Sequence, residues 1–235
     1  MSILPLWSPL FNPPGGKSNY RKLEVYFKCN EEDVKHFVPP PLKVASNILA
    51  VFVAKFRAGH TEHPSQLYFG ESGILIPVKY KTATGAHMTV QYITSVEIVC
   101  LGRETYGYGN KYAERIELFE MENDIEGFVE RLGKRLLYIS CRLSEKKMEL
   151  PNYFPRLQVK MIPRADGLGE DIKKVIEIPI PGYIRGEAST LKFGSGTVTF
   201  EKSETDPLYK LQPKEVLGAT FSTGHFVLGY AKDIT

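Results

Sequence analysis

The chain has 235 residues, 43% hydrophobic and 24% charged, which is ordinary for a globular protein and long enough to bury a sizeable core. Its formal net charge is +3, with lysines and arginines interspersed among acidic residues, so the one-signed basic surface of a nucleic-acid binder is excluded. No run approaches the ~20 apolar residues of a membrane span, and the N-terminus, with early prolines and no basic region before an apolar core, does not read as a signal peptide.

Residues 1 to 19, rich in Pro, Gly, Ser and Asn, read as an extended arm. Leu23 to Cys29 alternates as a half-buried strand should. Asn30 offers a helix N-cap, Glu31, Glu32 and Asp33 suit the positive end of a helix dipole, and Pro39-Pro40-Pro41 ends that helix early. Ile48 to Phe56 predicts a buried strand and His60 to Gln66 a loop. Tyr68 to Tyr80 carries Gly70, Gly73 and Pro77, which predicts a strand with a bulge or bend. Met88 to Leu101 is a long β-branched run, broken afterwards by Gly107 and Gly109. Ile116 to Met121 reads as a strand. Residues 124 to 143 fit a helix or a hairpin turning at Gly133-Lys134; alternation of Leu137, Ile139 and Cys141 with Tyr138, Ser140 and Arg142 favours the hairpin. Gln158 to Pro163, Val175 to Ile180, Gly196 to Glu201 and Val216 to Tyr230 supply further strands, with a turn at Ala165-Asp166-Gly167. Roughly ten short strands and few helices predict a single α+β, mostly β domain over 1 to 235, with a curved sheet or partly closed barrel.

Three widely spaced cysteines, Cys29, Cys100 and Cys141, with no Cys-x-x-Cys, predict reduced thiols in a cytoplasmic protein. His60 and His63 flank Glu62, but in a loop segment followed by Pro64 and with no second cluster they predict no metal site. His87 and His225 stand in no motif. Phosphate-loop and Gly-x-Ser-x-Gly patterns are absent, and no cofactor is expected.

The stretch Gly102-Arg103-Glu104-Thr105-Tyr106-Gly107-Tyr108-Gly109-Asn110-Lys111 resembles the active-site signature of acetoacetate decarboxylases, Gly-Arg-Glu followed by an aromatic, a proline and two lysines. Val38-Pro39-Pro40-Pro41-Leu42, Glu71-Ser72-Gly73 before Ile76-Pro77-Val78, Pro151-Asn152-Tyr153, Ile162-Pro163, Asp206-Pro207-Leu208 and Lys214-Glu215-Val216 resemble further family stretches in the same order, so the likeness spans nearly the whole chain. The resemblance implies a cone-shaped, partly closed β-barrel around a pocket, homo-oligomeric assembly, and a lysine that forms a Schiff base with a ketone. Asn110 stands at that lysine's position and Lys111 at that of its helper. Glu71 falls on a pocket carboxylate with acid–base and electrostatic roles, a second such carboxylate falls near Phe56, and Tyr20 or Arg21 falls on a carboxylate-binding arginine.

Each residue also has a plainer reading. Lys111 suits a surface lysine, Asn110 a turn residue or an oxyanion donor, and Glu71 a structural acceptor. Arg103 with Glu104 suits a fork fixing the loop, while Tyr106 and Tyr108 suit pocket wall and core equally. The expectation is a lyase acting on a small keto acid or related carbonyl compound, with Lys111, Asn110 and Glu71 as catalytic candidates. Tyr20, Arg21, Arg103, Tyr106 and Tyr108 are candidates for substrate binding. Either Lys111 forms the imine, or none forms and Asn110 with Lys111 polarises a carbonyl while Glu71 moves protons. The alternative is a non-catalytic small-molecule binder using the same pocket.

Overall fold

The computed structural model describes residues 18–59, 66–179, 189–227 and 229–235. Most of the expected N-terminal arm, together with His60, Glu62 and His63, lies outside them. The arm's last two residues, Ser18 and Asn19, already belong to the first strand.

Alternation of apolar and polar residues gives the chain its strands, and these join in one sheet. In chain order they are β1 (Ser18–Lys28), β2 (Lys43–Val44), β3 (Ile48–Gly59), β4 (Gln66–Tyr80), β5 (Ala83–Ile93), β6 (Asn110–Tyr112), β7 (Arg115–Met121), β8 (Asp124–Arg131), β9 (Lys134–Ser144), β10 (Arg156–Pro163), β11 (Glu170–Ile178), β12 (Thr190–Phe200), β13 (Glu215–Phe226) and β14 (Lys232–Asp233). The hydrogen-bonded order is β14-β11-β10-β5-β4-β3-β1-β13-β12-β9-β8-β7, with β2 added to β4 and β6 to β5. Nearly every neighbour is antiparallel; β10 and β6 each run parallel to β5. The β8–β9 hairpin turns at Leu132-Gly133, both at positive φ (53° and 71°), as a tight two-residue turn demands. The bend expected within Tyr68 to Tyr80 is a register shift between Ile74 and Leu75 against β5.

The sheet curls back on itself without closing by hydrogen bonds. Edge strand β7 returns over one face of β1 and β3, where Glu117 pairs with Lys55 at 2.8 Å and Glu120 pairs with Arg21. Between these layers lies one core: Leu23, Val25 and Phe27 of β1, Val51 and Val53 of β3, Ile74 and Ile76 of β4, and Ile116, Val129 and Ile139 opposite them. A second buried layer occupies the other face of the same strands and includes Tyr20, Tyr26, Phe52, Phe56, Phe69, Met88 and Ile93. A strand sends alternate side chains to opposite faces, so β1, β3 and β4 are buried on both.

Two helices of five or more residues complete the described chain: α1 (Glu31–Lys35) and α2 (Val96–Tyr106). The second corrects the reading of Met88 to Leu101 as one β-branched run. The strand ends at Ile93, Ser95 accepts a hydrogen bond from the Ile98 amide at 3.3 Å as N-cap, and Glu97 sits in the first turn, where the helix dipole favours it. Tertiary packing and a cap thus override the strand preference of Val96, Ile98 and Val99. The helix ends at Gly107, one of the two glycines expected to break regularity, in the left-handed region (φ 66°), where it packs against the Lys160 backbone. Among the described residues no helix is long and apolar enough to cross a membrane.

Candidate active site

Strand β1 builds the first wall. Its odd-numbered apolar residues fill the core, so Lys22, Glu24 and Tyr26 face the other way, and all three are buried there. Residues two apart on a strand share a face, which brings Lys22 Nζ to 2.8 Å from Glu24 Oε2. Tyr26 Oη donates to the same oxygen at 2.9 Å and lies 3.2 Å from Thr220 Oγ1. Tyr153 stacks on Tyr26 with centroids 6.2 Å apart and donates to the Ile48 carbonyl at 3.1 Å. Burial, with the Glu24 charge second, pushes both phenols well above their ordinary titration range, so they remain protonated donors.

A second group of polar side chains comes from β4, β5 and β10. Register places Glu71 across from Ala54, itself across from Lys22, and Gly73 across from Gln91, so Glu71 and Gln91 lie on the same face of the sheet as Lys22. Gln91 donates its amide to Glu71 Oε1. Burial raises the Glu71 carboxyl to about 7, against the Gln91 hydrogen bond and the positive charges of Arg156 and Lys22, which pull it down. Arg156 is only 2% exposed. One Nη donates to the Tyr153 carbonyl, the guanidinium lies 4.5 Å from the Phe154 ring centroid, and its buried Nε has no partner among the described residues.

Strands β1 and β10 are separated in the sheet by β3, β4 and β5. Curling nonetheless brings them to one cavity of about 130 Å³, bordered by Tyr20, Lys22, Glu24, Tyr153, Arg156 and Ser222. Larger hollows of about 700 and 750 Å³ are open grooves over β9–β12 and beside Gly107 and Gly109. The small chamber joins two cations, Lys22 and Arg156, with one carboxylate, Glu24, in a buried setting, where charge is bound most strongly.

The signature residues divide between two faces. Asn110 and Lys111 are consecutive on β6 and point to opposite sides. Asn110, paired in register with Gln91, lies on the chamber side and is 2% exposed. Its Nδ2 donates to the carbonyls of Ile98 at 3.3 Å and Val99 at 3.4 Å, leaving a buried Oδ1 without a partner among the described residues. That close packing accounts for Gly102, since a Cβ there would strike the Asn110 amide. With both amide hydrogens committed to α2, Asn110 braces the helix and has none left for a developing oxyanion. Lys111 lies on the far face. Its Nζ donates to Asp206 Oδ1 at 2.6 Å and to the Thr205 carbonyl at 3.2 Å. Asp206 also accepts from Tyr92 at 3.0 Å, Arg131 at 2.7 Å and Thr205 at 2.9 Å. Burial would raise its carboxyl, but the hydrogen bonds from Lys111 and Thr205 more than offset this and hold it below the usual range. The structure therefore separates Lys111 from Asn110 and Glu71, which the sequence reading had grouped.

Of the substrate-binding candidates, Tyr20 borders the chamber, its ring 6.3 Å from Phe56 and 6.4 Å from Phe226. Arg21 points outward to Glu120 and is exposed. Arg103 is exposed on α2 and ties its Nη1 to the Asn110 carbonyl at 3.2 Å, which is the loop-fixing role. Tyr106 and Tyr108 lie 6.2 Å apart in the chamber-side apolar layer, with Tyr106 donating to the Gly229 carbonyl at 3.0 Å. His87 is buried on the other face of β5, donates Nδ1–H to the Leu157 carbonyl at 3.2 Å, and is driven down to about 4 by burial, which keeps it neutral. Lys22, Glu24, Gln91 and Arg156 went unnoticed in sequence. The only trace was a polar phase in strands that also carry a complete apolar phase.

The family model for acetoacetate decarboxylase (ADC) matches residues 7–234. Acetoacetate decarboxylase 1 of Bradyrhizobium diazoefficiens is 26% identical over 244 residues, covering 96% of this chain and 89% of that protein. The acetoacetate decarboxylase of Paraburkholderia phytofirmans is 24% identical over 179 residues; the match covers 70% of this chain and 66% of the relative, just under two thirds of its length. Among solved structures, acetoacetate decarboxylase from Legionella pneumophila superposes with a TM-score of 0.81 at 16% identity, covering all of this chain and 92% of that one. The enduracididine biosynthesis enzyme MppR, solved with pyruvate, superposes at 0.79 with 17% identity, covering 97% and 93%. These structural likenesses establish the fold, a curled and incompletely closed sheet, and the match over almost every residue settles the lineage: the chain belongs to the acetoacetate decarboxylase family.

Proposed function

We propose that the chain is a lyase acting on a small keto acid or related carbonyl compound at the 130 Å³ chamber, with Glu71, on the same sheet face as Lys22, moving the proton and no imine at Lys111. The observation that carries this reading is Glu71, a carboxyl raised by burial to about 7 beside two cations. A group titrating near the working pH is the best compromise between holding a proton and giving it up. The neighbouring enzyme MppR has been solved with pyruvate and with a condensation product of pyruvate and imidazole 4-carboxaldehyde, which supports a carbonyl ligand for this chamber too. Lys111 fits no covalent role, since its amine is engaged by Asp206 on the opposite face. Homo-oligomeric assembly belongs to the same proposal. Phe119 and Met121, about half exposed on edge strand β7, offer apolar area for it, and light scattering measures it directly.

The test is a panel of small keto acids followed by NMR, with borohydride added to parallel samples for intact-mass analysis. Turnover should survive Lys111→Ala, vanish in Glu71→Gln, and leave no adduct at Lys111. Undiminished turnover in Glu71→Gln, or a trapped adduct on Lys111, would overturn the assignment. Ligand binding with no turnover by the native chain would identify a binding protein.

A further inference from the structure

The chamber is bordered by a guanidinium whose hydrogen-bonding capacity is largely unused among the described residues. Arg156 is 2% exposed, its hydrogen bond goes to the Tyr153 carbonyl, and its Nε has no partner among the described residues. Burying a cation with few acceptors is costly, so a guanidinium on a cavity wall marks a place where an acceptor is to arrive. Lys22, 6% exposed, borders the same cavity, held by Glu24 at 2.8 Å and lying 5.9 Å from the centre of the Phe52 ring. Tyr20, also on its border, brings a ring and hydroxyl but no charge. We propose that Arg156 and Lys22 together form the seat for the carboxylate of a small 2-oxo acid. This rests on reading the chamber as a keto-acid site and names the groups that recognise the acid.

Charge and size both favour that ligand. Lys22 and Arg156 supply two positive charges and Glu24 removes one, so the group carries one net positive charge whenever Glu71 is protonated and none when it is ionised. An arriving monoanion balances the first state. A planar guanidinium matches a carboxylate better than a point charge does, and a charge-assisted hydrogen bond is stronger than a neutral one. The cavity, about 130 Å³, equals the liquid volume of about four waters and falls well short of the ~300 Å³ of drug-sized pockets, which limits the acid to a few carbons. Tyr26 and Tyr153 hold Glu24 and the covering segment in place without contributing charge.

The experiment compares pyruvate with methyl pyruvate, which differ in that carboxylate alone, by calorimetry and ligand-observed NMR on the full chain. The native protein should bind pyruvate more tightly than the ester by about tenfold or more. Arg156→Gln should remove that preference while leaving ester binding unchanged, Arg156→Lys should restore part of it, and Lys22→Gln should weaken it. Thermal melts of each variant establish that it is folded, and Arg156→Lys keeps the test alive if Arg156→Gln is not. Equal binding of acid and ester by the native chain, binding of neither, or an equal loss of both in a folded Arg156→Gln would overturn the proposal. Pyruvate preference without turnover of any keto acid would leave the seat standing and remove the lyase assignment; turnover without the preference would do the reverse.

Discussion

Two lysine–carboxylate pairs of nearly equal length sit on opposite faces of this sheet, Lys22–Glu24 at 2.8 Å and Lys111–Asp206 at 2.6 Å. In the outer pair the carboxylate is saturated: Asp206 accepts from Lys111, Arg131, Tyr92 and Thr205. In the inner pair the local charges are balanced only while Glu71 is ionised, and Arg156 nearby retains a donor with no partner among the described residues. A satisfied network supports the fold, whereas an unsatisfied one is free to bind. Position within the signature does not by itself place a side chain in the chamber: the Lys111 amine is engaged by Asp206 and the Thr205 carbonyl on the other face.

The strongest way to break this contrast is Glu71→Gln, which should lower turnover by about 10²- to 10⁴-fold, the usual contribution of a general acid–base, as measured by steady-state kinetics. The same variant should be more stable than the native chain in alkaline buffer. The folded carboxyl titrates at about 7 and its ordinary value is 4.5, so the folded state holds an extra proton between those values. Stability conferred by protonation is then lost as pH climbs through that window and stays lost above it. Removing the group should recover up to about 3 kcal/mol at pH 8, visible as a higher midpoint in urea.

Next in size is Asp206→Ala. It strands the buried Tyr92 hydroxyl and frees two cations that can turn to solvent, so the cost should be about 2–3 kcal/mol, with a fall in Tm on the order of 5–10 °C. Because the folded Asp206 carboxyl is held low, the native contribution is present above the unfolded pKa and disappears as pH falls through the folded one. Turnover per folded molecule should be unaffected.

A smaller effect sharpens the inner half. Pyruvate affinity should weaken by up to tenfold per pH unit above about 7 as Glu71 ionises and cancels the chamber's net charge, and Glu71→Gln should flatten that slope. The charged groups acting on Glu71 from neighbouring elements are Lys22 on β1, itself paired with Glu24, and Arg156 on β10, with Gln91 of β5 its uncharged partner. Smallest of all is Lys111→Met. Its side chain is 36% exposed, and such pairs are worth less than about 1 kcal/mol, so melting and kinetics should both stay near native values.

Strand alternation made much of the fold legible. The hairpin at Gly133, the short helix after Asn30 and the register bend in β4 all follow from local residue order. The site was only half legible, for reasons of geometry. On β1 the alternation is plain, but a polar phase ordinarily marks a solvent face, and only a sheet curled back on itself buries both phases. Lys22 and Arg156 come together through that curl across three intervening strands, and no local pattern encodes it. Ser95 was a readable cap, overshadowed by the β-branched residues around it.

The amide at position 110 also shapes what this lineage can become. Both of its hydrogens tether Ile98 and Val99, and Gly102 is pared back to receive it. Reintroducing an amine there would sever both tethers in one stroke and press a longer chain against the helix. A lysine at this position would therefore need space that α2 does not leave, so the helix and the amide must change together.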